Sequence, residues 1–183
     1  MNLWFRMLWI YLGTFFKPVI NAFADASELN IRVLPTDLDI NMHMNNGRYL
    51  THMDLGRFDL LLRSGLWKFV RKTRSVPILG SATIRYRMSL DAFEQYKLVT
   101  KVVAWDEKWI YIEQRFIKLN GARAGAVAAI GLVKGSFYHQ AQKRMVPTAE
   151  LLEDLGLPIG TTELPDHIKT WQESEEKIRQ LTA

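Results

Sequence analysis

The sequence predicts an α+β fold, one helix laid against an antiparallel sheet, on three observations. A short alternating segment at residues 28–34 is followed by apolar residues at helical spacing over 47–62. Three long segments rich in Val, Ile, Thr, Tyr and Trp then follow at 76–88, 97–105 and 109–119. Short turn signals join these segments, which favours neighbouring antiparallel strands over crossover connections.

Each element has its own justification. In 28–34, Leu29, Ile31 and Val33 share one face, and Pro35 ends the strand. A polar loop occupies 36–46. The helix at 47–62 carries Leu50, Met53, Phe58, Leu61 and Leu62, and Ser64-Gly65 stops or kinks it before a further basic turn or two at 66–74. Asp106-Glu107-Lys108 and Asn120-Gly121 read as tight hairpins between strands. Residues 123–134 read as the closing strand, their small side chains suited to close backbone approach. Residues 147–155 and 166–181 read as helices.

Composition bounds the function. The 183 residues suit one domain with an appended segment, and 48% hydrophobic with 23% charged residues excludes global disorder. Without a cysteine the chain has no disulfide, thiolate metal site or cysteine nucleophile. A net charge of 24 − 19 = +5 suits an anionic ligand, an acidic carrier protein or an anionic membrane surface. The basic residues are scattered and no nucleic-acid motif accompanies them, so no nucleic-acid partner is expected.

Residues 1–24 are hydrophobic and aromatic, with Arg6 and Lys17 as their only charges. The uncharged stretch 7–16 is half the length a membrane-spanning helix needs, about 20 residues. Three readings stand side by side: a membrane-surface or anchoring helix, a helix packed on the domain or a second subunit, and a cleaved signal at Ala22-Phe23-Ala24 or Ala24-Asp25-Ala26.

Standard nucleophile-elbow, phosphate-loop and zincin motifs are absent. What stands out is the loop before the long helix, Thr36-Asp37-Leu38-Asp39-Ile40-Asn41-Met42-His43-Met44-Asn45-Asn46-Gly47-Arg48-Tyr49. Two acids, a histidine and three amides precede a helix N-terminus, where backbone N–H groups point outward unpaired. Asp37, Asn45 and Asn46 are also ordinary turn and capping residues. Asp54 and Asp59 do not share a helix face well and read as solvated surface acids. His52, His139 and His167 are dispersed without ligand spacing, so no metal and no cofactor are expected.

The run D-x-D-x-N-x-H-x-N-N-x-x-Y resembles the active-site segment of hotdog-fold thioesterases: the 4-hydroxybenzoyl-CoA thioesterase family, small bacterial acyl-CoA thioesterases and plant acyl-ACP thioesterases. The longer context, RVLPTDLDINMHMNNGRYL after a hydrophobic N-terminus, is similar to the thioesterase superfamily member six group. The resemblance covers roughly residues 29–147 and implies a hotdog fold, an antiparallel sheet wrapped around a central helix. It implies an acyl thioesterase acting on acyl-CoA in the first place and acyl-ACP in the second. Asp39 would be general base or nucleophile, His43 would share the proton work, and Asn41 would place water or substrate. Asn45, Asn46 and Gly47 would meet the substrate at the helix N-terminus, and Lys143 and Arg144 are candidate phosphate contacts. The Glu-Cys pair that plant enzymes carry falls here at Ser89-Leu90, so no second acid or thiol is expected there.

The resulting layout is an N-terminal hydrophobic helix at 1–27, a hotdog domain at 28–147 and a C-terminal helical extension at 148–183. The partners expected are a thioester of CoA or acyl carrier protein, further copies in a homodimer or tetramer, and a membrane surface. The location expected is cytoplasmic, peripheral to or anchored at a membrane through residues 1–24. The competing function is a non-catalytic acyl-binding or membrane scaffold protein of the same fold.

Overall fold

The computed structural model describes residues 3–181. Helix α1, Leu3–Thr14, leads to β1, Ala26–Arg32, and a single 3-10 turn, Pro35–Asp37. The long helix α2, Asn46–Arg63, and the shorter α3, Leu66–Thr73, follow. Strands β2 (Ser75–Tyr86), β3 (Gln95–Trp105), β4 (Ile110–Lys118), β5 (Val127–His139) and β6 (Arg144–Val146) come next, then α4 (Thr148–Asp154) and α5 (Asp166–Gln180).

The sheet is antiparallel in the order β1-β3-β4-β5-β2, with β6 paired to β5. It curls around α2, which buries Tyr49, Met53, Leu55 and Leu60 against it. This is the hotdog fold. The closest approach falls at Gly56, where a Cβ would lie 2.2 Å from Thr100 Oγ1 and 2.8 Å from Gln114 Nε2, so only glycine lets the helix sit this low on β3 and β4.

Two expected elements differ. The closing strand runs over Val127–His139 rather than 123–134, because β6 folds back on it and pairs as far as His139. The connection at Asn120-Gly121 is not a two-residue turn but an eight-residue loop, 119–126, in which both Gly121 (φ 80) and Gly125 (φ 86) take left-handed backbone. By contrast, the 106–109 connection is tight. Asp106 N–H bonds the Trp109 carbonyl, and its Oδ1 accepts from the Lys108 and Trp109 N–H groups.

Helix α1 lies on α2. Its inner face is Leu3, Arg6, Met7 and Ile10, a spacing that puts one stripe on the domain. The other face leaves Trp4, Phe5, Leu8, Trp9 and Leu12 exposed, and Phe15, Phe16 and Val19 beyond the helix are exposed too. At 12 residues α1 is about 18 Å long. Among the described residues no helix is long and apolar enough to cross a membrane.

Candidate active site

The loop before α2 is a small closed hairpin. The Asn45 N–H bonds the Asp37 carbonyl (2.8 Å) and the Asp39 N–H bonds the His43 carbonyl (2.9 Å), so the chain folds back with Asp39 opposite His43. The tip turns at Met42, whose φ of 61° is unusual for a residue with a side chain, and its N–H returns to the Asp39 carbonyl. The Met44 N–H bonds the Leu90 carbonyl (2.8 Å), which fastens the hairpin to the segment after β2.

Asp39 sits partly open on this hairpin. Its Oδ1 accepts the Asn41 N–H (2.9 Å), and among the described residues no cation pairs with it. His43 is exposed, and its Nε2 lies 3.8 Å from Asp91 Oδ1. Asn45 caps α2: its side-chain oxygen accepts the Gly47 N–H (2.9 Å). That bond occupies one of the helix's outward donors. Among the described residues the Asn46 N–H has no intramolecular acceptor, and the Asn46 carbonyl takes the Tyr86 hydroxyl (2.9 Å). The free donor at this terminus is therefore Asn46 rather than Gly47.

Asp37, two residues from Asp39, is fully buried. It accepts from Arg6 on α1, from Arg48 through Nε and Nη2 (3.2 and 2.9 Å), and from the Leu34 N–H (2.9 Å). Burial alone would raise its carboxyl; the donors gathered around it, the Leu34 N–H and the Arg48 guanidinium among them, outweigh that and hold it well below the usual carboxylate range. His52 is buried as well. Its Nε2 faces Arg6 Nη1 at 2.8 Å, and its Nδ1 meets the Tyr96 hydroxyl. Burial pushes His52 below its ordinary value, so the ring is neutral at pH 7 and Nε2 accepts from the guanidinium. The 3.4 Å approach of that nitrogen to Asp37 is then a contact rather than a bond.

A second buried acid corrects the sequence reading. Asp59, expected to be solvated, has no exposed surface. It binds Lys17 (3.1 Å), Ser27 Oγ (2.7 Å) and Arg63 Nη1 (3.0 Å). Asp54, paired with Arg57 one turn on, is the exposed one of the two.

The sequence missed Asp91 and His52. Asp91 comes directly after the Ser89-Leu90 position, where no acid was expected, and it meets His43 through an antiparallel bridge. The motif gave no sign of it because its neighbour is 48 residues away. Lys143 and Arg144 are not brought to the loop within this chain. They follow β5, whose 13 residues span about 40 Å, while the hairpin is fastened near the start of that strand through the 87–90 segment. Arg144 bonds Gln142 and Glu150 instead. Among the described residues no cluster of three His, Asp or Glu is placed to hold a metal ion.

A sheet of this order curled on one long helix, with an acid-bearing hairpin at the helix N-terminus, defines a hotdog protein of the thioesterase type. The Thioesterase-like superfamily model matches residues 33–172, and the chain belongs to that superfamily. It is 35% identical to Protein THEM6 of Danio rerio over 161 residues, covering 84% of this chain and 80% of that one. Among solved structures it is similar to the YbaW probable thioesterase of Escherichia coli (TM-score 0.64, 21% identity, 70% of this chain and 96% of that one). It is also similar to an aspartate-to-asparagine mutant of 4-hydroxybenzoyl CoA thioesterase complexed with 4-hydroxybenzoyl CoA (TM-score 0.65, 12% identity, 72% and 99%). These two likenesses concern the fold.

Proposed function

We propose that the protein is an acyl thioesterase that hydrolyses acyl-CoA, with Asp39 as its catalytic carboxylate. One observation carries the reading: among the described residues, Asp39 stands without a cation on a hydrogen-bonded hairpin, beside a helix N-terminus whose Asn46 N–H has no acceptor. A thioester carbonyl bonded to that N–H is polarised, and the oxyanion that forms on attack is held there. Asp39 takes a proton from water as the water oxygen bonds the carbonyl carbon. The tetrahedral intermediate then expels the thiolate, which recovers a proton from Asp39 or His43. Direct attack by Asp39 would give a mixed anhydride that water opens to the same products. Single-turnover hydrolysis in labelled water separates the two routes, since only the anhydride can leave a label in the protein.

Asn41 fixes the carboxylate through its N–H, and Asn45 holds the helix terminus in place. Lys143 and Arg144 suit the CoA phosphates of a partner subunit better than those at their own loop. A homodimer is the state that brings such elements together. Strand β2 is a sheet edge with free backbone groups and half-covered Ile78, Ala82 and Ile84. The aromatic outer face of α1 is a membrane-surface face, because Trp, Tyr and Phe settle at the headgroup boundary and no acid lies on it.

The test is release of free CoA from acyl-CoAs by the wild type and by Asp39→Asn. A loss of kcat of about 10²–10⁴-fold with KM little changed supports the reading. A wild type that binds acyl-CoA without turnover makes the protein an acyl-binding member of the fold instead.

A further inference from the structure

An apolar cavity of about 400 Å³ lies beside the second half of α2, within the size range of small-molecule sites. Phe58 and Leu61 of α2, Ile78 of β2 and Val133 of β5 form three of its sides. The remaining side comes from ahead of β1: Leu3 and Met7 of α1, with Ala22 and Phe23 of the segment that follows it. Leu3 and Met7 are one turn apart on the face that carries Arg6 and Ile10 inward. The Arg6–Asp37 and Lys17–Asp59 bonds pin the segment at two points, so this wall has a fixed position.

The cavity stands away from the hairpin. The first α2 residue lining it, Asp54, comes eight positions after Asn46, which is about 12 Å along the helix axis. A carbonyl held at the α2 N-terminus therefore reaches the cavity only through a long extended chain. An octanoyl chain falls short of that distance and a palmitoyl chain exceeds it. The lining offers such a chain hydrocarbon, and its one cation, Arg57, is already bonded to Asp54 and to Gln114 Oε1 (2.8 Å). The same helix turns Trp4, Phe5, Leu8 and Trp9 outward, the face suited to the surface into which long acyl thioesters partition.

We infer that α1 is the specificity wall of the enzyme: Leu3 and Met7 close a cavity that takes the distal end of a long saturated acyl chain. This rests on the thioesterase reading above. Met7→Trp narrows the cavity at the α1 wall, and Met7→Ala widens it there. Both leave Arg6, Asp39 and the hairpin untouched.

The experiment measures CoA release by the full chain with octanoyl-, lauroyl- and palmitoyl-CoA, for wild type and both variants, beside thermal unfolding and sedimentation. Met7→Trp is expected to leave kcat/KM for octanoyl-CoA within about twofold and to lower it for palmitoyl-CoA by about fourfold per displaced methylene. Met7→Ala is expected to favour the longer chains. An equal change for octanoyl and palmitoyl substrates, or none for either, overturns the inference. So does a change in sedimentation with unchanged chain preference, which would give the cavity to a second copy of the chain. If the wild type hydrolyses nothing, calorimetry with a palmitoyl thioether of CoA decides separately: binding that Met7→Trp abolishes keeps the cavity and discards the catalysis, and no binding discards both.

Discussion

The root and the tip of one hairpin carry carboxylates two residues apart in opposite environments. Asp37 at the root has no exposed surface, two guanidinium partners and a backbone donor. Among the described residues, Asp39 nearer the tip has one backbone donor and no cation. The same functional group is spent on architecture in one place and left available in the other. A base must be able to take a proton, and a carboxyl held as low as that of Asp37 is a poor one. The contrast teaches that availability, not the presence of an acid, is what recommends Asp39 over Asp37 for the proposed chemistry. It also shows what holds Asp39 still: Asp37 anchors the loop by its side chain and closes it through its carbonyl.

The sharpest way to break the comparison is to change each acid in turn. Asp39→Asn should cost about 10²–10⁴-fold in kcat while moving unfolding stability by no more than about 0.5 kcal/mol, read by thiol release and urea denaturation. Asp37→Ala should do the reverse in kind. It strands the Arg6 guanidinium in the interior, which typically costs about 3–5 kcal/mol. Activity retained by Asp39→Asn and lost from a still-folded Asp37 variant would reverse the two roles.

A smaller effect sharpens it. Arg6→Met leaves Asp37 with Arg48 and the Leu34 N–H, so the loss should be nearer 1–3 kcal/mol, about the cost of an unsatisfied buried group. Urea midpoints of the two variants in one buffer give the ranking, and an Arg6→Met loss equal to that of Asp37→Ala would mean Arg48 contributes nothing.

The smallest effect is with pH. His52 is held neutral, its folded value below the ordinary 6.5, so below about pH 6.5 the unfolded chain binds a proton that the native state refuses and stability declines. Asp37 adds a second loss further down: its contribution is complete above the unfolded value near 3.9 and disappears as pH falls from there toward its depressed folded value. Melting temperatures should be level between about pH 7 and 8 and fall in two stages below. His52→Asn should remove the first stage and leave the second.

The central helix was legible because Leu50, Met53, Phe58, Leu61 and Leu62 repeat at its period; the expected 47–62 and the observed Asn46–Arg63 differ by a residue at each end. The hairpin was legible as a cluster of types. Which acid was buried was not, since that depends on residues far away in the chain. Arg6 lies 31 positions from Asp37, Lys17 lies 42 from Asp59, and Tyr96 lies 44 from His52. A polar residue on a helix reads as solvent-facing until the partner that buries it is known. Strand β5 was displaced in the reading because its start lies past the turn at Gly125 and its end is set by pairing with β6, a partner the local pattern does not show. Its small residues did signal the close approach that exists: a Cβ at 131 would sit 2.5 Å from Met53 Cε, so the glycine is what admits the helix.

The pinning of α1 has a consequence for how the protein is made. Synthesis delivers Arg6 before its carboxylate Asp37 and before α2, the helix it lies on, which ends at Arg63. At roughly 5–20 residues per second, the aromatic helix waits on the order of 3–11 seconds for the surface it closes on. Until then the chain offers its inner face nothing to pack against. Biogenesis, rather than the finished fold, is then where this chain is most exposed to chaperones and lipid, and where a defect in α1 would first be felt as lost yield.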